Sequence, residues 1–145
     1  KTTYADLPFR FEAGTPNVGG NIALGIAIDF IENIGHSSIK EHETALLDYA
    51  QKKLKEIDSL KIYGEKAPRT GVVSFNLNGN FIASDVGMIL DKLGIAVRTG
   101  HHCTQPIMNF FGISGTIRAS FAVYNTFEEI DSLIEGVKKA QKMLM

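Results

Sequence analysis

The sequence predicts an α+β fold, a small and mainly antiparallel sheet with helices packed on one face. Three observations carry that expectation. The apolar residues change period along the chain, recurring every four residues over 22–34 and alternating strictly over 73–77. Strands come in pairs with helices between them, where a parallel sheet would alternate single strands with helices. The 145 residues, 44% hydrophobic and 21% charged, suffice to bury one core without metal or disulfide staples.

Residues 1–20 read as irregular, because Pro8, Gly14, Pro16, Gly19 and Gly20 punctuate them. From 21 onward, Ile22, Ile26, Phe30 and Ile34 predict an amphipathic helix that Gly35 stops. Ser38 and Glu41 have capping-box spacing and open a second helix, with Ala45, Leu46, Tyr49, Ala50, Leu54 and Ile57 as its inward stripe. "LKIYG" is a short strand beside "GVVSFNLNG", where Val73, Phe75 and Leu77 alternate with Ser74 and Asn76. A helix follows on Val86, Ile89, Leu90 and Leu93, ended by Gly94. "IAVRTG" and "TIRASFAV" are two more strands, with the segment from His101 through "PIMNFFGIS" linking them. Thr126 and Glu129 form a second capping box for the last helix, with Ile130, Leu133, Ile134, Val137 and Leu144 facing inward. Residues 1–20 are thus a loop segment and 21–145 a single small domain.

Net charge is −1, and no basic run exceeds two lysines, so a nucleic-acid footprint is lacking. No apolar stretch reaches membrane-spanning length. One cysteine permits no internal disulfide, which fits a reducing compartment and predicts a cytoplasmic protein. The opening "KTTYADLPFRF" has no initiator Met and no signal-peptide pattern, and reads as part of a longer polypeptide.

That cysteine, Cys103, lies in "RTGHHCTQP", after Arg98, His101 and His102. Three consecutive side chains rarely converge on one metal ion, and His36 and His42 lie far upstream, so no metal site is expected. A Cys-His protease needs a separately oriented base, which adjacent histidines supply poorly. The polar, glycine-bearing neighbourhood suits an exposed loop whose cationic neighbours favour a thiolate. A buried structural cysteine remains the alternative from residues alone.

"RTGHHCTQP" followed by "IRASFAVYNTFEEID", together with "RFEAGTPNVGG" and "TGVVSFNLNG", resembles the cysteine desulfurase and selenocysteine lyase family of class V aminotransferases. The resemblance runs from about residue 9 to the end, with the motifs in the expected order. Thr104 departs from the alanine usual in that subgroup. The resemblance implies the C-terminal domain of a fold-type I pyridoxal-phosphate enzyme, homodimeric when full length, with residues 1–20 belonging to the cofactor domain. It implies that L-cysteine is converted to L-alanine while Cys103 takes the sulfur as a persulfide for an acceptor protein, as in iron-sulfur cluster assembly. L-selenocysteine is the alternative substrate, and a stand-alone sulfur-carrier module the alternative role. Arg118 then grips the substrate carboxylate, with Arg98 and His101 as further substrate contacts, and Thr15, with Asn17 as a lesser candidate in the same loop, reaches across the dimer to the cofactor phosphate of the other subunit. The family's cofactor lysine follows a histidine, and no His-Lys pair occurs in this sequence, so the chain alone is expected to be inactive.

Overall fold

The computed structural model describes residues 1–79 and 81–145. The chain divides into two compact units, Lys1–His36 and Ser37–Met145.

The N-terminal unit holds a single 3-10 turn, Phe9–Phe11, and helix α1, Val18–Ile34. The helix starts inside the stretch expected to be irregular, and the reason is local. Asn17 is its N-cap, with Oδ1 accepting the Gly20 N–H at 3.0 Å. A Cβ on Gly20 would meet the capping side chain of Asn17, so the glycine read as a breaker is what admits the cap. None of the residues of α1 is buried, although Ile22, Ile26 and Phe30 form its apolar stripe.

Among the described residues the C-terminal unit is built on four strands, β1 (Leu60–Tyr63), β2 (Val72–Leu77), β3 (Arg98–Gly100) and β4 (Thr116–Ser120). They pair antiparallel in the order β1-β2-β4-β3. Helices α2 (His36–Leu54), α3 (Ala83–Lys92) and α5 (Phe127–Leu144) close the core against one face. Val73, Phe75 and Leu77 of β2 and Ile117 and Ala119 of β4 meet Leu46, Leu54, Val86, Leu90, Ile130 and Val137 there. The α+β expectation holds, with the predicted alternation of β2 intact.

Several boundaries differ. Gly35, at φ 89°, turns the chain so sharply that α2 begins at His36, which leaves Ser38 inside the helix rather than capping it. On α2 the buried stripe takes Leu47 where Ala45 was expected. Only Arg98–Gly100 of "IAVRTG" joins the ladder, because Ile95 and Val97 pack against the core from outside it. Leu144 stays 38% exposed at the frayed end of α5. The capping box of α5 is complete, with Thr126 Oγ1 accepting from Glu129 N and the Glu129 carboxylate accepting from Thr126 N. Tyr49 binds α2 to α5, stacking edge-on against Phe127 and donating its hydroxyl to Asp131. Among the described residues no helix is long and apolar enough to cross a membrane.

One helix was not anticipated. Residues Gln105–Phe111 form α4, opened by Pro106 in its first turn and closed by Gly112 in the left-handed conformation. Its Phe111 packs edge-on against Tyr63, with ring centroids 5.2 Å apart. Tyr63 pairs in register with Ser74, whose side chain points away from the core. The short helix therefore lies toward the polar face of the sheet.

Candidate functional site

The polar face follows from the same alternation that builds the core. Tyr63, Ser74, Arg118 and Arg98 stand opposite one another across all four strands, so their side chains share one side of the sheet. The two arginines are direct cross-strand neighbours. Like charges so placed repel, and nothing in the core requires them there. Arg118 is only partly exposed, and its Nε is buried with no hydrogen-bond partner among the described residues.

Other unpartnered atoms belong to the same region. Asn76, next but one to Ser74 on β2, donates Nδ2 to the Gly115 carbonyl at 2.8 Å and leaves Oδ1 buried without a partner among the described residues. Arg69 donates to the Glu65 carbonyl through Nη2 and leaves Nη1 unpartnered among the described residues, beside an open cleft of about 530 Å³ that Tyr63 and Ser74 also line. Buried polar groups are normally paired, so their gathering on one face marks a surface with hydrogen bonds to offer.

The loop leaving β3 carries Cys103, which is exposed. His102 and Cys103 both have positive φ, 53° and 58°, a conformation that disfavours L-residues by roughly 1–2 kcal/mol each. Two sets of bonds hold them. His102 donates Nε2–H to the Thr116 carbonyl at 3.1 Å, with Thr116 Oγ1 at 3.0 Å, and so ties the loop to β4. His101 caps the turn from the other side. Its Nδ1 accepts the Cys103 N–H at 3.0 Å, and its carbonyl accepts from both Thr104 N and Thr104 Oγ1. A backbone N–H can only donate, so Nδ1 of His101 is the unprotonated nitrogen and Nε2 carries the hydrogen.

The electrostatics refine the sequence reading. His102 is not a cationic neighbour of the thiol. Burial holds its pKa below the ordinary histidine value, and the charges of Arg118 and Arg98 act the same way against the bond to Thr116. The fixed positive charge of this face is that of Arg98 and Arg118. Two guanidiniums on one face of the sheet, with an exposed thiol on the loop that leaves β3, are groups with the chemistry to bind a carboxylate and to supply a nucleophile. Among the described residues no three His, Cys, Asp or Glu side chains gather as a metal site would need.

Cys103, Arg98, Arg118 and His101 thus belong to one strand pair and the loop that joins it. Thr15 and Asn17 lie in the N-terminal unit, where Asn17 Oδ1 is engaged as the α1 cap and its Nδ2 remains a donor. Sequence reasoning passed over Thr116, Ser74 and Asn76. The signal was present in "VVSFNL" and "TIRAS", where the polar residues between core positions must share a face.

The chain matches the family described as Aminotransferase class-V over residues 1–133. It is 49% identical to the cysteine desulfurases of Serratia proteamaculans and Salmonella agona, over 99% of this chain and 35% of each relative. Among solved structures it resembles the apo cysteine desulfurase of Thermococcus onnurineus, with TM-score 0.84 and 44% identity over 94% of this chain and 34% of that one. It also resembles the cysteine desulfurase CsdA of Escherichia coli in an S-sulfonic acid form, with TM-score 0.84 and 31% identity over 94% and 33%. The chain spans about a third of the length of these relatives.

Proposed function

The chain belongs to the class V aminotransferase family, and on that footing we propose that it is part of a pyridoxal-phosphate-dependent cysteine desulfurase. One observation supports the reading above others, the exposed Cys103 on a loop bonded to β4 two residues from Arg118, whose Nε lacks a partner. The substrate carboxylate suits the guanidinium groups of Arg118 and Arg98, since a planar fork donates two bonds to a carboxylate. Anchored there, L-cysteine would present its sulfur to Cys103 Sγ. The thiolate attacks that sulfur, an S–S bond forms and the substrate C–S bond breaks. The released pair, with protons from the medium, leaves L-alanine, and Cys103 holds the persulfide. Pyridoxal phosphate, when bound, supplies the electron sink for cleavage at the substrate carbons.

The residues present fit such a cofactor and substrate as donors to anions. Arg118 and Arg98 serve the carboxylate, while the Thr15 hydroxyl and Asn17 Nδ2 are donors suited to the cofactor phosphate of the partner subunit in the full-length dimer. His101, with its hydrogen on Nε2, offers a hydrogen-bond donor suited to a further contact with the substrate. Exposure lets Cys103 pass its sulfur to an acceptor protein, for uses such as iron-sulfur cluster assembly. The test is Cys103→Ser in the full-length protein. Persulfide and alanine formation from L-cysteine should stop while cofactor absorbance stays. Alanine release at the unaltered rate would overturn the assignment.

A further inference from the structure

We propose that the Thr104 hydroxyl is the positioning group that holds Cys103 in its reactive conformation, acting through His101. The inference rests on the reading of Cys103 as the nucleophile, and it adds a residue that this reading does not require. Thr104 occupies the N-cap of α4, where a threonine hydroxyl ordinarily accepts a bond from the helix's first turn. Here it makes no such bond. Pro106 has no N–H to offer, and the Thr104 carbonyl already accepts from Ile107 N at 3.0 Å and Met108 N at 3.2 Å. The helix start leaves the hydroxyl without a task, and it donates backward to the His101 carbonyl at 2.7 Å.

That bond reaches the cysteine in one step. The same His101 carries the Nδ1 that accepts the Cys103 N–H at 3.0 Å. Fixing the His101 carbonyl from two directions, by Thr104 N at 2.9 Å and by Thr104 Oγ1, fixes the peptide from which the imidazole springs. It thereby keeps a left-handed Cys103 that no glycine eases. Without the hydroxyl the Thr104 N–H bond survives, but the turn keeps one anchor instead of two. One neutral hydrogen bond contributes a factor of roughly 2–10 in the population of the held conformer.

The experiment needs no cofactor in its first arm. In the purified chain, amide exchange of Cys103 and the ¹⁵N signature of the His101 tautomer are measured for wild type, Thr104→Val, Thr104→Ala and Thr104→Ser. Valine keeps the shape and alanine adds no bulk, so a folding defect in one is checked by the other. We expect Cys103 exchange to speed up roughly 2–10-fold and the Nε2–H tautomer to mix with its alternative in both, with serine restoring the wild-type pattern. In the full-length protein kcat should fall by a similar factor with KM for cysteine unchanged, because Arg118 still holds the carboxylate. Wild-type exchange and tautomer in Thr104→Val and Thr104→Ala would overturn the proposal while leaving the desulfurase reading intact. Loss of that reading, seen through Cys103→Ser, would leave the first arm still able to decide the role of Thr104.

Discussion

Arg118→Met should raise the stability of the C-terminal unit while removing substrate binding. The magnitude follows from the surroundings of the arginine. Its Nε is buried without a partner, and an unsatisfied buried donor is unfavourable by about 1–3 kcal/mol. Its guanidinium stands opposite that of Arg98, a like-charge pair unfavourable by about 0.2–1 kcal/mol, toward the low end because Arg98 is exposed and screened. Methionine keeps an unbranched stem over the same strand and brings no polar atom. The sum favours the variant by about 1–3 kcal/mol, which for a unit of this size is a rise in Tm of at least about 4 °C. Scanning calorimetry of the purified chain at pH 7.5 reads it directly. Repeating the scan at high salt should shrink the gap slightly, since salt screens the charge pair and leaves the buried donor alone. In the full-length protein the same substitution should lower kcat/KM for cysteine by roughly 2–5 kcal/mol of transition-state binding. A variant that melts at or below wild type would refute the reasoning, because it would mean that Arg118 serves the fold.

Two other perturbations test the frame around the site. In Gly115→Ala the new Cβ would lie 2.7 Å from the Gly100 carbonyl carbon, against 3.4 Å for an ordinary contact, with backbone on both sides. The β3–β4 pair must part just before the cysteine loop, so Tm should drop by the equivalent of about 1–3 kcal/mol, and a change within 1 °C would show that the pair yields freely. The second concerns pH. His102 has a folded pKa below its unfolded value, so the unfolded chain takes up the proton first, and the stability present above about pH 6.5 is lost as pH falls through the folded value. Between pH 7.5 and 5 wild type should lose more Tm than His102→Gln, which keeps an N–H for Thr116 and cannot titrate. Equal losses would place the titration elsewhere. The depressed carboxylates Glu65 and Glu129 act only at lower pH and do not confuse the window.

The sequence disclosed elements whose signals are local and repeated. The alternation of 73–77 and the Thr126–Glu129 box each need only neighbouring residues to act, and both stand as read. Signals that depend on what lies next door misled. Ser38 and Glu41 have capping-box spacing, but Gly35 starts α2 too early for Ser38 to serve. Gly19 and Gly20 look like breakers, yet the Asn17 cap needs the space that Gly20 leaves. Helix α4 has fewer than two full turns of apolar pattern, so periodicity could not reveal it, although Pro106 and Gly112 bracket it correctly. At the candidate site Cys103 and Arg118 were singled out through resemblance. Their supports were not, because the bond from His102 to Thr116 spans 14 residues and the turn needs two non-glycine residues at positive φ.

The core and the candidate site are written on the same strands one residue out of phase. Ile117 and Ala119 are buried, and Arg118 between them faces outward beside Arg98. On β2, Val73 and Phe75 enclose Ser74 in the same way. A slip of one residue in the β2–β4 pairing would bury Arg118 against Phe75 and expose Ile117 to the face that carries the cysteine loop. The slip would remove the apolar packing of two strands, at roughly 1.5–3 kcal/mol for each large side chain exposed, and would add an unpaired buried charge. The hydrophobic core therefore fixes which residues face the loop, more firmly than any bond within the site. The closeness of Gly115 to Gly100 reinforces it, since any residue slipped into position 115 would bring a Cβ into the Gly100 backbone. Arg118 can keep an unsatisfied N–H because its alternatives are excluded by the packing of Ile117 and Ala119 on either side. A strand whose buried face sets its register can hold on its other face a group that the fold alone would reject.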